Sequence, residues 1–118
     1  MIDSHSHIYS EEFDEDRKEV IERAKSCGVS KIILPNIDSD SLQRMLKLES
    51  EFPGYCHATV GLHPTSVKEN YISELEIVKN ELERRSYIAI GEIGIDLYWD
   101  KSLLNEQIIV FRQQLEWA

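Results

Sequence analysis

The chain has little of several features that define whole classes of protein. It contains only two cysteines in 118 residues, too few for the disulfide framework of a small secreted domain. We therefore expect a reducing compartment and interpret Cys27 and Cys56 as small buried hydrophobic residues. No apolar run reaches the roughly 18 residues of a membrane span, and the polar, acidic start is unlike a signal peptide. These absences predict a soluble cytoplasmic protein with no membrane association.

Basic residues are also scarce. The 13 Lys and Arg residues are outnumbered by 22 Asp and Glu residues, which leaves a net charge of −9. A surface of net negative charge repels polyphosphate, so the composition argues against a general nucleic-acid coat protein. It does not exclude a nucleic-acid enzyme, because metal ions can supply positive charge locally.

The chain shows no linker, low-complexity tract or internal repeat, so we place no domain boundary within residues 1–118. Short β-branched apolar segments alternate instead with longer segments of helical spacing. The predicted strands are 1–2, 31–34, 58–60 and 87–90, and the predicted helices are 12–27, the segment from Asp38-Ser39 to just before Pro53, 73–85, and 104–117. In the last helix, the spacing predicts that Ile108, Phe111 and Leu115 face the core.

This order predicts an α/β fold in which parallel strands are covered by helices. The strands begin about thirty residues apart, which is the size of one βα unit. A complete eight-fold βα barrel needs about 250 residues, so the chain is too short for one. Four βα units correspond to the first half of such a barrel.

Two histidines follow the first predicted strand. His5 and His7 are two residues apart, so in extended backbone both side chains point to the same face. Two imidazoles at one strand end can chelate a divalent ion, and Asp3 is close enough to orient a ligand. Taken alone, the triplet is equally compatible with two solvated histidines. Its position favours a metal site, because the chemistry of βα barrels gathers at the carboxyl ends of the strands.

A second chemical signal, Gly91-Glu92-Ile93-Gly94-Ile95-Asp96, directly follows the fourth predicted strand. It places the Glu92 carboxylate at the same rim as the two histidines, and a carboxylate can bridge two cations. The glycines permit a tight turn and a close backbone approach to a ligand. A surface glutamate in a loop is the alternative interpretation. Asp96 could orient a ligand or cap the segment beyond it.

The third predicted strand ends in Gly61-Leu62-His63-Pro64, which brings His63 to the same rim. His63 could donate a hydrogen bond to a substrate phosphate or be a hydrogen-bonded rim residue, and its position does not separate the two. His57 has no motif around it and is interpreted as structural. Tyr98 and Trp99 could stack on a base or sugar, although aromatics in such a loop more often cover a hydrophobic edge.

In these three motifs, taken in this order and spacing, the chain resembles the TatD family of metal-dependent deoxyribonucleases within the amidohydrolase superfamily. The resemblance runs from Met1 to Ala118, and the Gly-Glu-Ile-Gly-Ile-Asp stretch followed by Tyr98 is its most specific part. It implies a (β/α)8 barrel with a divalent-metal centre at the carboxyl ends of the strands, and hydrolysis of DNA phosphodiester bonds, often from the 3′ end.

Residue by residue, the resemblance implies that His5 and His7 ligate a metal, that Glu92 ligates or bridges the metals, and that His63 lies in the substrate pocket. The family pattern continues with two more histidine ligands and an aspartate, the expected general base. All four histidines here fall within the first 63 residues. We therefore expect the N-terminal half of a TatD-type barrel, without its general base and inactive alone.

Three hypotheses about function remain open. The first is a TatD-type hydrolase of DNA that uses one or two divalent ions, where the histidine–carboxylate set suits Zn²⁺ or Mn²⁺ and Mg²⁺ would prefer more oxygen ligands. The second is a metallohydrolase acting on a small phosphoester or amide, which the acidic surface slightly favours. The third is a non-catalytic half-barrel that associates with another copy or a partner through its open sheet edges.

Overall fold

The structure, a computed structural model, describes residues 1–118. Three strands form one parallel sheet in the order β1 (Ile2–Asp3), β2 (Lys31–Leu34) and β3 (Cys56–Ala58). Four helices alternate with and follow them: α1 (Arg17–Ser26), α2 (Ser39–Glu51), α3 (Tyr71–Arg84) and α4 (Leu104–Trp117). Parallel pairing places all three carboxyl ends at one edge of the sheet. The predicted α/β class with parallel strands is confirmed.

The main core lies between the sheet and the first two helices. It is a cluster of twelve buried residues that includes Leu34 from β2 and Ile21 from α1. α2 contributes Leu42, Met45 and Leu48, which lie on one face of the helix. α2 therefore turns an apolar face to the sheet, as an amphipathic helix does.

α2 begins at the capping position predicted from the sequence. The Asp38 carboxylate accepts a hydrogen bond from the backbone N–H of Ser41 at 3.0 Å, and the Ser41 hydroxyl accepts one from the backbone N–H of Asp38 at 3.1 Å. This reciprocal pair satisfies two backbone donors that have no partner inside the helix.

α1 begins five residues later than predicted, after a 3₁₀ turn at Glu11–Phe13. The side chain of Arg17 folds back over this turn. Its Nε donates to the carbonyl of Ile8 at 2.8 Å, and its Nη2 donates to the carbonyl of Ser10 at 2.7 Å. Because these charge-assisted bonds stabilise the turn, the chain between His7 and α1 does not continue the helical pattern.

The two cysteines differ from each other. Cys56 in β3 is buried, and burial raises the pKa of its thiol to about 11. Cys27 is exposed, so the prediction that both are buried is wrong for this residue. It follows the last turn of α1 and precedes Gly28, which has a positive φ of 86°, at a helix end that projects into solvent.

The fourth predicted strand is reduced to a single bridge, between Val60 and Ile90. At the last residue of β3, the backbone N–H of Ala58 donates to the Glu49 carboxylate of α2 at 2.8 Å. The other oxygen of that carboxylate accepts from Arg85 at 2.7 Å. The Glu49 side chain thus occupies a backbone N–H at the edge of β3 that would otherwise be available to a fourth strand.

Other boundaries move by one or two residues. β3 covers 56–58 instead of 58–60, and α3 covers 71–84 instead of 73–85. Strand and helix ends are the least predictable part of a sequence pattern, because the last hydrogen bonds depend on neighbouring elements. No helix is long and apolar enough to cross a membrane.

α4 has the predicted bounds but presents a different face to the protein. Its buried residues are Gln107, Val110 and Gln114, and Leu115 is 51% exposed. The helix is rotated from the predicted orientation because the side-chain amides of Gln107 and Gln114 bind backbone groups beneath it. The residues predicted to face the core therefore lie outside the buried set: Ile108, Phe111 and Leu115.

Candidate metal centre

His5 and His7 come from the segment that continues β1 beyond its last strand residue. The backbone N–H of Ser6 donates to the carbonyl of Ile33 at 3.1 Å, which extends the contact with β2. The Asp3 carboxylate accepts from the backbone N–H of His5 at 3.1 Å. Both imidazoles consequently point to the same side, with their Nε2 atoms 3.1 Å apart.

Glu92 brings a carboxylate to this histidine pair. Its Oε2 lies 3.2 Å from His5 Nε2 and 3.4 Å from His7 Nε2. One atom from each of the three residues lies within 4.8 Å of the other two, so these side chains could hold a metal ion. The structure brings together the three residues that the sequence motifs predict as ligands.

Two residues near the strand ends place Glu92. Asn36, buried at the end of β2, accepts from the backbone N–H of Glu92 at 3.0 Å and donates its own N–H to the carbonyl of Gly91 at 3.1 Å. Gly61 makes the approach sterically feasible, since a Cβ there would lie 3.0 Å from the Gly91 carbonyl carbon. The peptide bond between Gly91 and Glu92 is cis.

Tyr9 determines the tautomer of His7. The Tyr9 hydroxyl donates its single proton to the carbonyl of Pro35, and its oxygen lies 2.9 Å from His7 Nδ1. His7 Nδ1 must therefore carry the proton of that second bond. The Nε2 lone pair is left free and directed at the cluster, as a ligand position requires.

The pKa of His7 is lowered from its ordinary value. Burial is the largest cause, and the neighbouring His5 lowers the pKa further, although Glu92 acts in the opposite direction. Since only a neutral imidazole has a lone pair for a metal, this environment favours the ligand form of His7.

The donor set fits a divalent cation. Ligand atoms bound at about 2.0–2.1 Å in a tetrahedral site lie about 3.3 Å apart, and the three observed separations are 3.1, 3.2 and 3.4 Å. Acceptor atoms this close repel one another unless a cation or a proton lies between them. Two imidazoles and a carboxylate are typical ligands of Zn²⁺ and Mn²⁺.

His63 faces the other oxygen of Glu92. Its Nδ1 accepts from the backbone N–H of Thr65 at 3.1 Å and lies 2.7 Å from the Thr65 hydroxyl. A backbone N–H can only donate, so the proton of the neutral ring is on Nε2, which lies 3.2 Å from Glu92 Oε1. In this tautomer His63 is a hydrogen-bond donor at the rim rather than a metal ligand.

Asp96 lies in the loop that follows Glu92, and its carboxylate caps that loop by accepting from the backbone N–H of Tyr98 at 2.8 Å. Its backbone is held by α4. The Gln107 amide accepts from the N–H of Asp96 at 2.8 Å and donates to its carbonyl at 2.9 Å. A role for Asp96 in orienting a metal ligand remains a prediction.

The side-chain amide of Gln114, two turns further along α4, acts in the same way. Gln114 is fully buried, accepts from the backbone N–H of Leu62 at 2.6 Å and donates to its carbonyl at 3.3 Å. Gln107 and Gln114 therefore connect α4 to the two segments that carry Glu92 and His63. Neither glutamine was predicted from the sequence, where only their spacing of seven residues indicates that they share one helix face.

Asn36 was also missed, although its position immediately after the second strand placed it at the same rim as the histidines. His57 is outside the cluster, with its Nε2 3.2 Å from the Lys31 amine, and its structural interpretation stays a prediction. Tyr98 and Trp99 are 82% and 80% exposed.

Comparisons with known proteins agree with the motifs. The family described as TatD related DNase matches residues 2–118. The chain is 34% identical over 118 residues to the uncharacterized metal-dependent hydrolase YabD of Bacillus subtilis, covering 100% of this chain and 46% of that protein. It is 31% identical over 118 residues to the 3′-5′ ssDNA/RNA exonuclease TatD of Erwinia billingiae, covering 100% and 45%.

A solved structure shows the same similarity in three dimensions. The crystal structure of YjjV, a TatD homolog from Escherichia coli, superposes with a TM-score of 0.88 and 33% identity, covering 100% of this chain and 46% of that one. The chain thus spans just under half the length of the relatives it matches. With the family match extending over nearly every residue, the chain belongs to the family of TatD-related DNases.

Proposed function

We propose that this chain carries a divalent-metal site that serves the hydrolysis of phosphodiester bonds in nucleic acid. The observation that supports it best is the convergence of His5, His7 and Glu92 at the carboxyl edge of the sheet. This cluster combines neutral imidazole and carboxylate donors at separations suited to one ion.

His5 and His7 would hold the ion through Nε2, and Glu92 would offset part of its charge through its carboxylate. Tyr9 keeps His7 in the ligand tautomer. A bound divalent cation would lower the pKa of a water molecule and polarise a phosphoryl oxygen. His63 presents an Nε2–H beside the site, where it can donate to a phosphate oxygen.

Nucleic acid is the proposed substrate class because relatives with a named substrate act on it: the matched TatD proteins are called ssDNA/RNA exonucleases. This supports the polymer over the small phosphoester or amide. The polyanion can approach an acidic protein where the cation supplies local positive charge.

The site is tested first by metal binding, which does not depend on turnover. Zn²⁺ or Mn²⁺ titration of the metal-free chain should give a saturable site that His5→Ala and His7→Ala each weaken by at least about tenfold. His57→Ala is the matched control, because it removes a histidine outside the cluster. Equal affinity in all four proteins would contradict the assignment.

Hydrolysis is tested with end-labelled single-stranded DNA beside a small aryl phosphodiester. Since this chain alone is expected to be inactive, the assay uses the complete barrel, for which the proposal expects metal-dependent release of nucleotides that a chelator abolishes and added Mn²⁺, Zn²⁺ or Mg²⁺ restores. His63→Ala should lower cleavage without abolishing metal binding. Undiminished cleavage in chelator would refute the metal-dependent reaction, and exclusive cleavage of the small ester would refute the polymer substrate.

A further inference from the structure

Tyr98 and Trp99 form an exposed aromatic pair in the loop that follows Glu92. Their ring centroids are 4.8 Å apart in an edge-to-face arrangement with an interplanar angle of 84°. At 82% and 80% exposure, they are among the most exposed large hydrophobic side chains of the molecule. The pair therefore offers open aromatic faces to a ligand.

The loop that carries the pair is held in place. The Asp96 carboxylate accepts from the backbone N–H of Tyr98, and the Gln107 amide of α4 bonds both backbone groups of Asp96. Further along the loop, the Asp100 carboxylate accepts from the backbone N–H of Ser102 at 2.8 Å. These bonds order the backbone on both sides of the two aromatic residues. An ordered platform loses less conformational entropy on binding than a mobile one.

Trp99 also lines a small cleft. Its other lining residues include Pro64, Thr65, Lys68 and Leu103. Thr65 is the residue that hydrogen-bonds His63. Thr65 thus links the cleft that Trp99 lines to His63.

The charge of the molecule favours stacking over a purely ionic contact. The protein has a net charge of −9, and the cleft itself contains Asp96 and Asp100, with Lys68 as its cation. A polyanion gains little from such a surface. A nucleobase, however, is neutral and stacks on aromatic faces whatever its sequence.

We propose that Tyr98 and Trp99 form a stacking site for an unpaired base of single-stranded nucleic acid, with Lys68 contacting the adjoining phosphate. The inference rests on the proposed function, since it names how the substrate polymer is held next to the same metal site. It assigns binding, and no bond-breaking step, to these three side chains.

The first experiment uses tryptophan fluorescence, because the chain contains only two tryptophans. In a Trp117→Phe background Trp99 is the sole emitter, and a metal-free preparation in chelator prevents cleavage. Titration with a single-stranded oligothymidylate should quench the emission saturably. As a check on the background, the unmodified chain should show the same quenching, and Trp99→Phe should lose the static component.

The second experiment measures oligonucleotide affinity by anisotropy. Trp99→Ala and Tyr98→Ala should each weaken binding by about 5- to 150-fold, the range of base–aromatic stacking. Lys68→Ala should lower the slope of log affinity against log salt by about 0.7. Ile72→Ala, at another exposed hydrophobic side chain, is the matched control and should leave affinity unchanged.

Unchanged affinity in both aromatic variants would overturn the proposal. So would a change in sedimentation on Trp99→Ala without a change in affinity, because the pair would then be a protein–protein contact. The two proposals can fail separately. In the complete barrel, quenching without any metal-dependent cleavage would refute the proposed function alone, and cleavage with an unchanged KM for the oligonucleotide in Trp99→Ala would refute the stacking site alone.

Discussion

The sheet region and the C-terminal region of this protein are held together by different forces. In residues 1–60, three strands share a parallel hydrogen-bond ladder over a large apolar cluster. In residues 87–118, the attachments are largely polar: a single bridge, the backbone bonds of Gly91 and Glu92 to Asn36, and two glutamine side chains. Val110 joins a small apolar cluster of three buried residues. Apolar burial is non-directional, whereas amide bonds require particular partners.

The candidate metal centre lies across the boundary between the two regions. His5 and His7 belong to the sheet region, and Glu92 belongs to the C-terminal region. The geometry of the centre therefore depends on the polar attachments as well as on the core. Substitutions in each region should separate these contributions.

The largest effect is expected for a core residue of the sheet region. Leu34 is fully buried in β2, so Leu34→Ala removes packed carbons and leaves a cavity. The free energy of unfolding should fall by about 2–5 kcal/mol, measured by urea titration. Ile88→Ala, at a 58% exposed apolar residue of the C-terminal region, is the control and should change it by less than about 0.5 kcal/mol. Equal losses would remove the contrast between the regions.

Gln114→Ala should have a smaller and more local effect. It leaves both backbone groups of Leu62 without their partner, which costs about 1–3 kcal/mol. Hydrogen exchange should accelerate in α4 and near Leu62 while the β1–β2 ladder stays protected. Gln113→Ala, which loses only a surface bond to Glu116, serves as the control. Acceleration spread evenly over the sheet would contradict a separate polar attachment.

Tyr9→Phe should act on the metal centre more than on the fold. Without the hydroxyl, His7 Nδ1 loses the partner that selects its tautomer, and metal affinity should fall by about 10- to 100-fold in a competition titration. Tyr55→Phe is the matched control, because the buried Tyr55 hydroxyl has no hydrogen-bond partner. If both variants keep full affinity, Tyr9 does not position the ligand.

The smallest effect concerns the acid stability of the sheet region. Hydrogen bonds from Arg44 and Arg17 lower the pKa of Asp14 to about 2, from an ordinary value of 3.8. A folded pKa below the unfolded one stabilises the protein above about pH 4, and this contribution is lost as the pH falls toward 2. Asp14→Asn should therefore flatten the decline of Tm between these pH values.

The control for this prediction is Asp16→Asn. It makes the same charge change at a carboxylate that lies 4.0 Å from Arg23, where both side chains are half or more exposed. The Asp16 variant should keep the acid slope of the unsubstituted protein. Identical slopes for all three proteins would show that the Asp14 pairs contribute nothing measurable, as many exposed ion pairs do.

Much of the candidate site could be predicted from local patterns. His5 and His7 share a face because extended backbone has a period of two, and Glu92 reaches their rim because it directly follows an apolar segment. The match over residues 2–118 confirms the family that these motifs resemble. The start of α1 was not predictable, since it depends on Arg17 binding carbonyls of the preceding loop.

The buried polar residues were the hardest to predict. Periodicity placed Ile108 and its apolar neighbours toward the core, yet α4 turns Gln107 and Gln114 inward. An amide can be buried only where backbone groups meet it, and these groups lie 11 and 52 residues away in the chain. Asn36, whose backbone bonds Gly91 and Glu92, was not predicted either, because its partners are also distant in the chain.

By itself the sequence determined the parallel α/β arrangement, the family and the three side chains that converge at the carboxyl edge of the sheet. These follow from hydrophobic period and from motif spacing, both of which are local. Only the tertiary structure decided that Tyr9 selects the His7 tautomer, that His63 presents a donor, and that α4 is attached through amides. Each of these depends on hydrogen bonds, whose direction is known only when both partners have positions.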